Sequence, residues 1–263
     1  MGTGFAAAER NSSRAPVSSL PKPVVFLTAE WRYLVMLNFR IDPESLGAHV
    51  PAGTELDRWG GHAYVSLVGF RFLNTRILRM PVPFHRRFEE VNLRFYVRRD
   101  FGSEVRRGVT FIKETVPLRA VTAAARLTFN EPYETRSMRH RIVASGTAPI
   151  SAEYGWQQRQ GWGKLGMTAA ASSDYPEPGS HEEFIAIRHW GYTRQRDGST
   201  VEYRVDHSRW RIWRATNHVL EGDLSEMYGD KFAKILGGRP ASAFLADGSA
   251  VSVSPPTRLE DIR

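Results

Sequence analysis

Between Pro83 and Val97, the residues Glu90, Asn92, Arg94 and Tyr96 alternate with Val91, Leu93, Phe95 and Val97. At the period of two that a strand imposes, one face is apolar and the other carries a carboxylate, an amide, a guanidinium and a phenol in a row. Lining a pocket, the Glu90 carboxylate could exchange a proton while Asn92 orients a substrate. On a solvated sheet, the same row would only meet water. Both readings stand at this level.

A second candidate is Lys113. In Gly108–Val116, alternation puts Val109, Phe111 and Lys113 on one face and Thr110, Ile112 and Glu114 on the other. A lysine beside two apolar side chains is desolvated, which lowers its pKa and makes the amine more nucleophilic. The plainer expectation is that Lys113 reaches solvent or pairs with an acid on a neighbouring strand.

Other motifs carry less. Gly161-Trp162-Gly163-Lys164-Leu165-Gly166 matches G-x-G-x-x-G, yet polar residues precede it and Pro176 and Pro178 follow closely. A dinucleotide-binding turn needs an apolar strand before and a helix after, so a hairpin turn explains these glycines better. The histidines lack metal-ligand spacing, and His85 and the His181-Glu182-Glu183 run stand alone. Neither a G-x-S-x-G elbow nor a phosphate loop occurs. Arg188–Arg214 interleaves Trp and Tyr with Arg, as single-stranded nucleic-acid binders do. A sheet with aromatics inside and Arg outside gives the same pattern, and is preferred.

The elements that must position these residues are mostly strands. Trp31–Ile41 alternates, with Trp31, Tyr33, Val35, Leu37 and Phe39 on one face. Asp42-Pro43 caps a short helix that Pro51 stops. A hairpin is expected at Glu55–Trp59 and His62–Phe72 around Gly60-Gly61. The Glu90 strand, a loop at Asp100–Glu104 and the strand Gly108–Val116 follow, and Ala-rich Arg119–Phe129 is the best helix. Further strands are expected at Arg139–Ala144, Pro149–Trp156, Leu165–Ala171, Ile185–Thr193, Thr200–Asp206 and Trp210–Val219. Asp223 caps a helix to Tyr228, and a last hairpin spans Ala243–Val253 around Asp247-Gly248. Many strands, few helices and no β-α-β alternation indicate an α+β fold, mostly antiparallel β. Residues 1–23 are expected to be a flexible N-terminal arm, and 24–263 a single domain.

Bulk properties narrow the classes. A hydrophobic fraction of 41% in 263 residues supports a real core. No apolar run is long enough to span a bilayer, and the N-terminus does not read as a secretory signal. Zero cysteines exclude disulfides and thiolate sites and suit the cytoplasm. The net charge of +8 is the excess of 36 Lys and Arg over 28 Asp and Glu, and 31 of those cations are Arg against 5 Lys. Because the charges are scattered, this is read as composition, affecting solubility and steering but not specifying a partner.

Phe26–Arg32, Ala63–Phe70, Pro83–Val97, Gly108–Pro117 and Phe129–Tyr133 together resemble an uncharacterised bacterial YqjF-like conserved-protein family. The resemblance covers about residues 24 to 255. That family is grouped with the acetoacetate-decarboxylase-like superfamily, which implies an antiparallel cone or barrel with a central cavity and few short helices. Acetoacetate decarboxylase works through a lysine Schiff base. Its strand glutamate matches Glu90. Its Arg-Glu-x-x-Gly-Phe-Pro-Lys-Lys segment aligns with Arg126–Glu134, which keeps Arg126 and Pro132. Its two lysines are replaced by Tyr133 and Glu134.

The resemblance therefore implies the scaffold without the Schiff-base chemistry. The expected function is binding of a small anionic or carbonyl-bearing organic molecule. In an enzyme, Glu90 would be the acid/base, with Glu131, Tyr133 and Lys113 as further catalytic candidates, and Arg32, Asn92 and Arg126 would orient the substrate. No cofactor or metal is implied. The alternative is a non-catalytic ligand-binding or regulatory protein on this scaffold, followed by a nucleic-acid binder; self-association is left open.

Overall fold

The computed structural model describes residues 24–81, 85–146 and 148–259. The expected arm at 1–23 lies outside them, as do Pro83 and Phe84 at the head of the polar stretch. The chain begins with β1 (Leu27–Ile41) and a 3-10 helix (Pro43–His49), whose Asp42 cap accepts a hydrogen bond from the Glu44 amide at 3.0 Å. Then come β2 (Glu55–Leu56), β3 (Ala63–Ile77), β4 (Met80–Pro81), β5 (Phe88–Phe101) and β6 (Glu104–Val116). The Ala-rich helix α1 (Arg119–Thr128) is followed by β7 (Tyr133–Thr135), β8 (Met138–Ser145), β9 (Ala148–Gln157) and β10 (Trp162–Ala169). The chain continues through α2 (His181–Ala186), β11 (Trp190–Arg194), β12 (Thr200–His207) and β13 (Ile212–Glu221). It ends with α3 (Leu224–Leu236), β14 (Ser242–Val253) and β15 (Thr257–Arg258).

Strand pairing returns on itself. It runs β12, β11, β6, β5, β3, β1 and β14, and β14 pairs again with β12 at Val205↔Val253. Every pairing in this ring is antiparallel except β11–β6. Closure gives partners to backbone groups that an open edge would expose. The fold is α+β and mostly antiparallel, as the strand count indicated.

The ring is apolar on both faces. On one, Val35, Leu37, Leu67 and Leu93 pack beneath Tyr154, Trp156, Leu165 and Met167 of β9 and β10 and beneath Phe232 of α3. On the other, Leu34, Met36, Val68, Phe70 and Val109 belong to a second cluster. Val91, Leu93, Phe95 and Val97 of β5 are each 0% exposed. Each such side chain stabilises the fold by roughly 1.5–3 kcal/mol. That burial sets the direction of β5 and turns Glu90, Asn92 and Arg94 to the second face.

Two bulges reset the alternation. Between Arg32 and Val35 the β1–β3 register shifts, with Tyr33 at φ 57°. Trp31 and Leu34 therefore face the second cluster together, and Tyr33 and Val35 the first. Opposite, Asp247-Gly248 forms no hairpin turn: β14 runs through it as one strand, with Gly248 at φ 79° paired to Arg32. A Cβ on Gly248 would overlap the Trp31 carbonyl oxygen, so a glycine is needed here. In β6, Lys113 pairs with Leu93 and Phe111 with Arg94, leaving Ile112 as the extra residue. Its insertion moves Lys113 off the face of Phe111 and brings Glu114 onto it.

Smaller corrections have local causes. Glu55–Leu56 pairs with β5 instead of β3, so the Gly60-Gly61 turn is closed only by the Trp59↔His62 bridge. Ile185 belongs to α2, which Ser180 caps by accepting from the Glu183 amide; the strand starts at Trp190. The Asp223-capped helix continues past Tyr228 to Leu236 through a break at Gly229, φ 75°.

Candidate functional site

The second face of the ring encloses a cavity of about 370 Å³. Trp31 and Leu34 of β1, Val68, Phe70 and Phe72 of β3, and Val121, Ala124 and Ala125 of α1 supply apolar wall. Polar groups include Glu90, Asn92 and Arg94 of β5, Glu114 of β6, Glu131 and Tyr133 around the start of β7, and Tyr203 of β12, with His85, Arg188 and His207 also on the wall. Glu90, Asn92 and Arg94 of the polar row line the pocket, while Tyr96 at its end is buried with its hydroxyl bonded to Ser66 Oγ.

Parallel pairing of β6 with β7 sets Tyr133 beside Glu114, while antiparallel pairing of β5 with β6 sets Asn92 beside Glu114. Tyr133 donates its hydroxyl proton to Glu90 Oε2 at 3.0 Å, and Asn92 Nδ2 donates to Glu90 Oε1 at 2.8 Å. Tyr203 donates to Glu131 Oε1, and Thr193 Oγ1 donates to the same oxygen at 3.4 Å. A side-chain hydrogen bond also joins Glu114 to Glu131.

Burial dominates the titration. It pushes Glu90 up to about 7, against hydrogen bonds from Asn92 and Tyr133 that favour the anion; nearby Glu131 raises it and Arg94 lowers it. Glu131 likewise rises to about 7, with bonds from Tyr203, Thr193 and Glu114 opposing its burial. Glu114 lies well above the carboxylate range, because of burial first and then the charges of Glu131 and Glu90. Its proton serves the bond to Glu131. Burial also raises the phenols of Tyr133 and Tyr203, keeping them hydrogen-bond donors. The cluster thus holds protons at neutral pH and has groups that exchange them there.

Arg94 is a buried cation of this site. It is 7% exposed, its Nη2 donates to the Ile185 carbonyl at 3.3 Å, and its Nε has no hydrogen-bond partner. Among the described residues it forms no ion pair with a carboxylate.

The structure brings Glu90, Asn92, Glu131 and Tyr133 together in one cavity. Lys113, Arg32 and Arg126 are not among its lining residues. The β6 bulge turns Lys113 to an ion pair with Glu134 at 2.8 Å. Arg32 follows the β1 bulge away from the cavity, pairing with Glu30 at 2.8 Å and donating to the Gly248 carbonyl at 3.1 Å. Arg126 is exposed on α1, and its Nε donates to the Tyr133 carbonyl at 2.8 Å, buttressing β7 from outside. Among the described residues no lysine lines the cavity.

Three site residues escaped the sequence reading of catalytic and binding groups: Arg94, Glu114 and Tyr203. Arg94 stood in the polar row and was readable there. Glu114 was hidden by the bulge, and Tyr203 by the surrounding Arg-aromatic pattern. In that segment Trp190, Tyr203 and Trp210 line the cavity, Arg204 pairs with Asp206, and Arg188 pairs with buried Asp57. Gly161 makes the turn from β9 to β10, with Gly163 and Gly166 inside β10. His181 packs against Trp59 and Tyr64. Among the described residues no group of three or more His, Asp or Glu is placed to hold a metal ion, and no helix is long and apolar enough to cross a membrane.

Residues 28–250 match the model of the DUF2071 family, described as an uncharacterized conserved protein. Over 116 residues the chain is 31% identical to the uncharacterized protein YqjF of Bacillus subtilis (strain 168). That alignment covers 44% of this chain and 46% of YqjF, so the chain spans about half the length of this curated relative. Acetoacetate decarboxylase from Legionella pneumophila superposes with a TM-score of 0.61 at 12% identity, covering 97% of this chain and 99% of that one. The enduracididine biosynthesis enzyme MppR, complexed with pyruvate, superposes with a TM-score of 0.60 at 14% identity, covering 94% of each chain. At such identities the likeness is one of fold.

Proposed function

Because this chain belongs to the DUF2071 family of uncharacterized conserved proteins, we propose its function from its own site: it binds a small organic acid or carbonyl compound and exchanges protons with it. The carrying observation is the juxtaposition, in one cavity, of a buried Arg94 that has no ion-pair partner among the described residues with Glu90, Glu114 and Glu131, three buried carboxyl groups close enough to raise one another's pKa. A buried guanidinium without an anion is costly, and a bound carboxylate or polarised carbonyl relieves that cost. MppR, of the same fold, is complexed with pyruvate, which is both acid and carbonyl. We take residues 24–263 to act as one unit, in the cytoplasm.

In the proposed mechanism, Arg94 anchors the anionic or carbonyl oxygen of the ligand. Glu90, as a carboxylate, takes a proton from the carbon next to the carbonyl. The charge collecting on the carbonyl oxygen is met by a hydrogen bond from Tyr133 or from the proton that Glu114 and Glu131 share. Returning that proton to carbon restores the enzyme. A Schiff base is no part of this scheme, because Tyr133 cannot form an imine and Lys113 is paired elsewhere.

A second reading, binding without turnover, is favoured by one detail: both Glu90 oxygens already accept hydrogen bonds, from Asn92 and Tyr133. Incubation with pyruvate and acetoacetate in D2O separates the two. Deuterium entering the carbon next to the carbonyl, faster than without protein and lost in Glu90→Gln, supports proton exchange. Binding without exchange leaves the non-catalytic reading; the absence of binding by any small acid or carbonyl compound sinks both.

A further inference from the structure

The proposed site explains the polar end of the cavity but not its breadth. Trp31 packs edge-on against Phe70, Phe72 and Trp210 at centroid distances of 5.4, 6.0 and 6.5 Å. Phe72 also stacks on Phe88 at 4.5 Å. An apolar cavity of about 150 Å³ is enough for benzene, and this one is about 370 Å³. Pyruvate has as many heavy atoms as benzene and would leave most of the aromatic wall uncovered. A ring joined to a short acid chain fills both parts.

The guanidinium groups of the cavity favour an acid with one carboxylate. Arg188 also lines the cavity, but Asp57 neutralises it at 2.5 Å with both side chains buried. Among the described lining residues, Arg94 is the guanidinium without a carboxylate partner; the imidazoles of His85 and His207 also line the cavity. The carboxyl cluster does not repel that anion while it holds its protons, below about neutral pH.

We infer that the ligand of this cavity is an aryl-bearing monocarboxylate, with its carboxylate on Arg94 and its ring against Trp31, Phe70 and Phe72. The inference rests on the small-molecule reading of the same cavity and narrows its substrate class. Edge-on and offset contacts with the wall rings favour a flat aromatic ring over a flexible alkyl chain of equal size. The chain would also lose more rotamer freedom on binding.

Calorimetric titration at pH 6 of the full chain with 3-phenylpropionate, propionate, acetoacetate, octanoate and 3-phenylpropanol tests it. Burying the ring is expected to make 3-phenylpropionate bind about tenfold to a hundredfold tighter than propionate. Replacing the carboxylate by a hydroxyl, in 3-phenylpropanol, is expected to weaken binding by about tenfold or more. Arg94→Gln should erase the preference for the acid over the alcohol, and the wild-type comparison of these two ligands decides the point if that variant does not fold. Propionate or acetoacetate binding as tightly as 3-phenylpropionate overturns the aryl assignment while leaving the small-acid reading intact. Octanoate at parity overturns the ring contact, and 3-phenylpropanol at parity overturns the role of Arg94. No binding by any of the five overturns both this inference and the reading beneath it.

Discussion

Tyr133 and Glu90 meet at 3.0 Å, phenol to carboxylate, from two strands that do not pair with each other. Both pair with β6, so the contact spans the strand that carries Glu114. A hydrogen bond to a charged group contributes on the order of 1.5–3 kcal/mol. Its loss in Tyr133→Phe should raise the Glu90 pKa from about 7 by about one to two units. The acidic limb of any pH–rate profile, set by deprotonation of Glu90, is then expected to move up with it. An unmoved limb would show that the phenol does not hold the Glu90 anion.

Glu131 makes the stability of the protein pH-dependent. Its folded pKa of about 7 exceeds the unfolded carboxylate value of about 4.3, so the folded state binds the extra proton between these limits. The resulting stabilisation is full below the unfolded value and is lost as pH rises through about 7. Urea denaturation of the wild type should therefore give midpoints that fall from pH 5 to pH 8. Glu131→Gln, which keeps the shape but not the titration, should give a flatter profile. An equal slope in both proteins removes Glu131 as a holder of that proton.

Gly248 sits where β1 and β14 approach too closely for a side chain. Its φ of 79° and the adjoining Trp31 carbonyl leave no room for a Cβ. Gly248→Ala should cost about 2 kcal/mol or more, through backbone strain and displacement of β1. Chemical denaturation reads this directly. Stability within about 0.5 kcal/mol of wild type, the range of a neutral surface change, would mean that the bulge relaxes freely and does not fix the phase of Trp31.

The same bulges mark the limit of what the sequence disclosed. The Glu90 row was legible because β5 has no insertion between Phe88 and Leu93 and its apolar face is continuous. Arg32 and Lys113 were misplaced because one extra residue in β1 and one in β6 reverse every side chain beyond them. For that reason Glu114 was read on the wrong face. Asp247-Gly248 carries a turn signal, but β14 has partners on both sides there, and pairing overrides the dipeptide. Arg126 was assigned through the aligned segment, yet α1 presents it outward while Tyr133, seven residues on, enters the cavity. Local patterns show which residues alternate; only long-range pairing shows where the count slips.

The last prediction separates the scaffold from the chemistry of its structural neighbours. A Schiff-base decarboxylase needs a desolvated amine within the cavity, and Lys113 instead forms an ion pair with Glu134 at side-chain exposures of 27% and 29%. So exposed a pair contributes at most about 1 kcal/mol to stability, so Lys113→Met should fold and bind ligand nearly as the wild type does. Borohydride with acetoacetate should leave no adduct on Lys113, and acetoacetate should release no carbon dioxide above background. If a substrate is turned over, Glu90→Gln should slow it by about a hundredfold, the lower end for losing a general acid or base. A trapped Lys113 adduct would mean that β6 rearranges to bring the amine inside. Turnover within a few-fold of wild type in Glu90→Gln would move the proton exchange to the Glu114–Glu131 pair, which shares the cavity and whose protonated forms burial favours.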